Sequence, residues 1–244
     1  MKNIKDFWIA GTHSVISALN NENRIVNEVV FLKDGKIDIS KELLKKNKKT
    51  VFKQVEKNFF KKIFKDTDLA HQNIAAKINK LNKLEIKNHI PNIKNIIILD
   101  NITDPRNIGS IIRTAVAFDV DAMIIKDRNF PSKSATMYKS SSGAIENIKI
   151  FEVVNLSTTL KFLKENNFWI YSFDGKSNQK LSKEVLNNEK KIFIFGSEQK
   201  GISKNLINNS DFVIKININN NRIESLNVSN AVSAALSIIN FLDT

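Results

Sequence analysis

Cysteine is absent from the 244-residue sequence. That excludes disulfides, thiolate metal sites and any cysteine nucleophile, including one that attacks C6 of a pyrimidine to methylate C5. Only three histidines are present, His13, His71 and His89, so a histidine-rich metal site is not expected. Glycine is scarce, seven in all, and no G-x-G-x-x-G loop is among them. The glycine-rich first turn of a Rossmann-type site is therefore missing. No apolar run approaches the roughly 20 residues that span a bilayer. Met1–Asp6 is not followed by an apolar signal segment, so a cytoplasmic protein with no membrane partner is expected.

What is present describes an ordinary globular chain with an excess of positive charge. Hydrophobic residues make up 42% and charged residues 26%, enough for a packed core. The length suits one large domain, or a small one joined to a larger one. The formal net charge is +13, and its distribution is uneven. Residues 1–90 carry a net +9 and residues 91–244 a net +4. The smaller part holds most of the charge, which favours contact with a polyanion there over compositional bias alone.

Two patterns divide the chain. Residues 1–79 read as a compact α/β unit. Gly11-Thr12-His13-Ser14 leads into a helix over 15–19, and Val26–Leu32 is a strand. Asp34-Gly35 marks a turn, and 39–48 has helical spacing. Thr50–Val55 reads as a strand with Val51 and Val55 inward. Lys57–Phe64 is a helix with its phenylalanines on one side, and His71–Ile78 is the last strand. Residues 80–93 are polar with little periodicity and read as a linker. Residues 94–244 alternate strand and helix, beginning with the buried-type run Ile96–Leu99. Such alternation argues for a mostly parallel sheet covered on both faces.

Three polar segments follow apolar strands and precede helices. They are Asp100-Asn101-Ile102-Thr103-Asp104-Pro105-Arg106-Asn107 through Arg113, Phe195-Gly196-Ser197-Glu198-Gln199-Lys200-Gly201, and Arg222-Ile223-Glu224-Ser225-Leu226-Asn227-Val228-Ser229-Asn230-Ala231. Strand-to-helix loops of one α/β domain gather at one sheet edge, where ligands sit. Taken singly, each segment has a plainer use. Asn107 can cap the helix that follows it, and Arg113, six residues on in the second turn and nearly opposite on the wheel, can be a solvated residue. Gly196-Ser197 can be a turn, and Ser225 and Asn227 can be caps.

Taken together, the three segments resemble motifs 1, 2 and 3 of the SpoU (TrmH) family of RNA ribose 2′-O-methyltransferases, within the SPOUT superfamily. The motifs and their intervening strands cover residues 94–244. Gly11–Leu19 and His71-Gln72-Asn73-Ile74 resemble the N-terminal substrate-binding domain of the branch that methylates a guanosine ribose of 23S rRNA. Two departures stand out. The family usually has glycine after His-Gln, where this chain has Asn73. It usually has an Ile-Pro pair and often a glycine before motif 3, where Ile216–Asn221 has neither.

The resemblance implies an α/β fold in two parts. Residues 1–79 would be a small L30e-like RNA-binding domain, joined by the linker 80–93 to a methyltransferase domain, 94–244, with a deep trefoil knot. It implies S-adenosylmethionine as cofactor, no metal, RNA as partner (23S rRNA first) and a homodimer formed through the knotted domain. Arg113, Asn107, Glu198, Ser225 and Asn227 would be the catalytic residues. Gly196, Ile216, Ile218, Leu226 and Asn227 would contact the cofactor. A guanidinium has a pKa above ~12 and is a very poor base. Arg113 is therefore expected to orient the hydroxyl or a phosphate and to stabilise developing alkoxide charge. Asn107 would orient Arg113 or the target nucleotide, and Glu198 would position Arg113 across the dimer interface. The alternatives are the same chemistry on tRNA or another rRNA site, and a non-catalytic RNA-binding homologue.

Overall fold

The computed structural model describes residues 6–33, 39–65, 69–186, 188–219 and 221–243. The predicted Asp34-Gly35 turn lies outside them. The chain forms two compact units, one of residues 1–82 with 131–147, the other of residues 83–130 with 148–244.

The first unit opens with β1 (Phe7–Ala10), α1 (Thr12–Asn20), β2 (Val26–Leu32), α2 (Lys41–Lys46), β3 (Val51–Val55), α3 (Lys57–Ile63) and β4 (Ile74–Ile78). The sheet runs β1-β4-β2-β3. β4 is antiparallel to β1 and β2, and β3 is parallel to β2. Ala10, Val30, Phe60, Phe64 and Ala75 form one of its buried clusters. Sequence reading missed β1, whose four residues are too few to show a period. It also placed Val51 inward, whereas Val51 is exposed and Val55 half-buried. β3 lies at the sheet edge, so nothing compels its alternation. The predicted strand 71–78 starts only at Ile74, because Gln72 and Asn73 have left-handed backbone, φ 55° and 59°. Asparagine tolerates that conformation better than most residues, which accounts for Asn73 standing where the family usually has glycine.

The second unit begins inside the predicted linker. Ile90 and Ile93 are buried in its core, with two short 3₁₀ turns over Ile86–Asn88 and Ile90–Asn92. β5 (Asn95–Asp100), α4 (Pro105–Ala117) and β6 (Ala122–Lys126) follow. The chain then passes to the first unit for residues 131–147, which hold α5 (Ala135–Ser141). Glu146 is the main polar tie of this segment within the first unit. It pairs with Arg24 at 2.9 Å, with both side chains almost fully buried. Asn21 Nδ2 also donates to it at 2.6 Å. Arg24 Nη1 donates to the Asn79 carbonyl at 2.6 Å, and Phe7 packs on Tyr138 of α5.

The chain re-enters the second unit with β7 (Lys149–Val153), α6 (Leu156–Glu165) and β8 (Trp169–Phe173). β9 (Gln179–Lys180), β10 (Lys191–Gly196), α7 (Lys204–Asn208), β11 (Phe212–Lys215) and α8 (Val228–Asp243) complete it. The sheet order is β7-β6-β5-β10-β8-β11-β9, with parallel pairing throughout. β5 is apolar over Ile96–Leu99 because both faces are covered. Ile96 and Ile98 pack with Leu156, Leu160 and Leu206 of α6 and α7. The alternate residues Ile97 and Leu99 are equally buried and face the side where α4 and α8 pack together. α4 buries Ile108, Ile111 and Ile112 completely, each contributing roughly 1.5–3 kcal/mol. Among the described residues, no helix is long and apolar enough to cross a membrane.

Candidate active site

The strand order sets the site. From β5 the chain builds outward through β6 and β7, and later returns to place β10 on β5's other side. The two central strands are in parallel register, Ile192 opposite Ile96 and Gly196 opposite Asp100. The loops leaving them therefore emerge side by side at the carboxyl edge, at the point where the order reverses. Ligands collect at such points in open α/β sheets.

Each loop is fixed by local chemistry. Asp104 caps α4, its Oδ1 accepting from Arg106 N at 2.7 Å and Asn107 N at 3.4 Å. This corrects the expectation that Asn107 is the cap. With Asp104 in that role, Pro105 starts the helix, Asn107 sits within its first turn, and Arg113 falls in the third turn rather than the second. In the second loop, Gly201 N donates to the Ser197 carbonyl at 2.8 Å and closes a tight turn. A Cβ on Gly196 would stand 2.1 Å from the Gly201 carbonyl carbon. Only glycine fits, and the conflict is with backbone. Gly196→Ala is expected to lower stability by about 1–3 kcal/mol, read from the urea midpoint; an unchanged midpoint would show the turn to be adaptable.

Asp100, which opens the first segment but carries no assigned role in the sequence, ties the edge together. It is completely buried at the end of β5. Its Oδ2 accepts from Ser203 N at 2.8 Å, and Lys126 Nζ lies 3.3 Å from its Oδ1. The first loop's strand thus holds the segment that returns from the second loop. An acid closing the wholly apolar run Ile96–Leu99 was the signal available for it.

The three loops meet in one hydrogen-bonded group. Asn227 Nδ2 donates to Asn107 Oδ1 at 3.1 Å and to Glu198 Oε1 at 2.8 Å. The same Glu198 oxygen accepts from Val228 N, in the first turn of α8, at 3.1 Å. Asn227 Oδ1 accepts from Ser229 N at 3.0 Å, so Asn227 both caps α8 and joins the other two loops. A carboxylate at a helix N-terminus is favoured by its free N–H groups and dipole. Beside the group lies a cleft of about 470 Å³ lined by Asn101, Thr103, Asn107, Asn129, Glu198 and Lys200, among others. Polar groups dominate it, as suits a nucleotide more than an apolar ligand.

The predicted residues thus fall into two sets. Asn107, Glu198 and Asn227 are brought together, and the first two line the cleft. Arg113 is exposed on α4, Ser225 is exposed in the approach to α8, and neither lines the cleft. Gly196, Ile216, Ile218 and Leu226 are half-buried and also stand outside its lining.

Residues 94–237 match the model of the SpoU rRNA Methylase family. The chain belongs to that family. It is an RNA ribose 2′-O-methyltransferase of the SpoU type, and residues 8–84 match a second model, that of RNA 2′-O ribose methyltransferase substrate binding. It is 34% identical over 188 residues to an uncharacterized tRNA/rRNA methyltransferase of Borreliella burgdorferi, covering 72% of this chain and 81% of that one. It is 32% identical over 237 residues to an uncharacterized tRNA/rRNA methyltransferase of Synechocystis, covering 93% of this chain but only 60% of that one. Among solved structures, the SpoU methyltransferase AviRb from Streptomyces viridochromogenes in complex with AdoMet superposes with a TM-score of 0.79. The match covers 98% of this chain and 90% of that one at 17% identity. At that identity the likeness speaks for the fold. It is the SPOUT-type α/β fold with a mostly parallel second sheet, consistent with the knotted SpoU arrangement.

Proposed function

We propose that this SpoU enzyme transfers a methyl group from S-adenosylmethionine to the 2′-hydroxyl of a guanosine in 23S rRNA. In this reading it works as a cytoplasmic homodimer joined through the second unit. The observation that carries the reading is the Asn107–Asn227–Glu198 group, which unites the three family motifs at one sheet edge.

The residues present fit the cofactor. Ile216, Ile218 and Leu226 offer half-buried apolar surface for an adenine, and Gly196 admits the close backbone packing of the Gly201 turn at the strand end. The sulfonium supplies an activated methyl group, so the protein has to position the nucleophile and manage its proton. Glu198 is a poor candidate for the base, because Oε1 already accepts from Asn227 and Val228. It holds the third loop against the second. Asn107, freed from capping, presents its side chain at the cleft where the target nucleotide enters. Arg113, on the exposed side of α4, reaches the ribose hydroxyl or its phosphate in the partner's site and stabilises the alkoxide as it forms. Ser225 and Asn227 line the reacting end. The basic first unit grips the RNA through its phosphates.

Calorimetry with S-adenosylmethionine, followed by methyl transfer to transcribed 23S rRNA and to tRNA, tests this reading. Cofactor binding with transfer to a 23S guanosine 2′-hydroxyl is expected. Transfer to tRNA alone would replace the substrate. No heat at high cofactor concentration would leave an RNA-binding protein.

A further inference from the structure

We propose that the first unit holds a specific backbone-phosphate site for the RNA, built from His71, Gln72 and Lys139, with Lys57 contributing charge. The inference rests on the reading above and narrows it to named atoms. Lys139 lies outside the 8–84 span of the substrate-binding family model and joins this unit only because residues 131–147 fold with it.

Each side chain is turned to donate. The Gln72 amide oxygen accepts from Lys139 Nζ at 2.6 Å and from Thr12 N at 3.2 Å. With its oxygen so held, the amide leaves its Nε2 hydrogens to offer. His71 Nδ1 accepts from Asn73 N at 3.0 Å. The neutral ring therefore carries its proton on Nε2, again a donor. That ring is stacked on Phe60 with centroids 4.3 Å apart and planes within 4°, so its direction is set. Burial, then the charges of Lys57 and Lys139, hold the His71 pKa below its ordinary value, and the ring stays neutral. Lys139 is partly withdrawn from water, and burial lowers its pKa also. Its hydrogen bond goes to an amide rather than a carboxylate, so its charge gains from an incoming anion.

The backbone is shaped around this cluster. Gly11 has φ 95°, and a Cβ there would stand 2.4 Å from Lys139 Nζ. Gln72 and Asn73 are both left-handed, a conformation that costs free energy and persists at sites where neighbours enforce it. Lys, amide N–H and imidazole N–H form a donor-only set. A phosphate is an acceptor only and carries a full negative charge, whereas the acceptor-only base edges, such as guanine N7 with O6, are neutral. The ligand class that matches is the phosphate backbone, and the contact would position the RNA without reading its sequence.

The test is filter binding of the full-length protein to transcribed 23S rRNA over a range of KCl concentrations. Lys139→Met is expected to weaken binding about tenfold near 0.1 M salt and to flatten the log–log salt slope by about one. Gln72→Glu keeps a partner for Lys139 but sets a carboxylate in the phosphate's place, and should weaken binding at least as much. Lys57→Ala, at an exposed position, should have a smaller effect of the same sign. S-adenosylmethionine affinity should be unchanged in all three. If Lys139→Met melts early, Gln72→Glu decides. Variants that match the wild type in affinity and salt slope would overturn the site while leaving the enzyme reading intact. A wild-type protein that binds neither 23S rRNA nor tRNA would instead overturn the RNA reading itself.

Discussion

Replacing Arg113 with alanine is expected to slow methyl transfer by about 10²–10³-fold, the usual cost of removing one preorganised donor to a developing oxyanion. S-adenosylmethionine affinity should stay within a few-fold, because the half-buried candidates for cofactor contact, Ile216, Ile218 and Leu226, lie on other segments. Arg113 stands exposed in the third turn of α4, between the buried Ile112 and the partly buried Thr114. A charge there costs little to hold. Single-turnover transfer to 23S rRNA with calorimetric cofactor binding separates the roles. If cofactor binding falls as far as the rate, Arg113 is structural and the proposed mechanism fails.

Glu146→Ala should be the most destabilising single change described here, by roughly 3–5 kcal/mol. The carboxylate sits opposite Arg24 with both side chains almost entirely removed from water. It accepts from Arg24 Nε and Nη2 and from Asn21. Removing it strands a guanidinium that keeps only the Asn79 carbonyl, the Tyr138 hydroxyl at 3.3 Å and the Tyr138 ring. The loss should appear as a lower urea midpoint. The double variant Arg24→Met/Glu146→Leu should recover much of it, since a buried pair can be replaced by apolar residues at small cost. A Glu146→Ala protein with the wild-type midpoint would mean that water reaches the guanidinium.

The same pair bears on how the protein can be cut. Deleting residues 1–90 to isolate the catalytic half would leave Met137, Tyr138 and Ile145 without β1 and α1, which pack on their segment. It would also remove Ile90 from the second unit's core. Such a truncation tests solubility as much as RNA binding. Substitutions at Gln72 or Lys57 leave the packing in place and are the cleaner probes.

Much was legible in the order of residues. Ile96–Leu99 is a run that suits a strand covered on both faces, and it marked the strand that became β5. The spacing of Ile108, Ile111, Ile112 and Ala115 is that of a helix with one buried face, as α4 is. The three polar segments that follow strands marked the candidate site, because a parallel sheet sends such loops to one edge. Less was legible where a residue's role depends on its neighbour in space. Asn107 and Asp104 are equally good caps by composition, and the backbone chose Asp104. Val51 has the side chain of an inward strand residue but lies on an edge.

Local periodicity, charge and motif order by themselves determined an alternating α/β chain, a basic front part and the family of the rest. Tertiary structure alone decided that residues 131–147 leave the second half to fold with the first. It also decided that Asp100 anchors the loop edge and that Lys139 meets Gln72. Each of those contacts joins residues far apart in sequence, and the free energy that selects them comes from burying a charge or a ring against a particular partner. No window of sequence contains both members of such a pair.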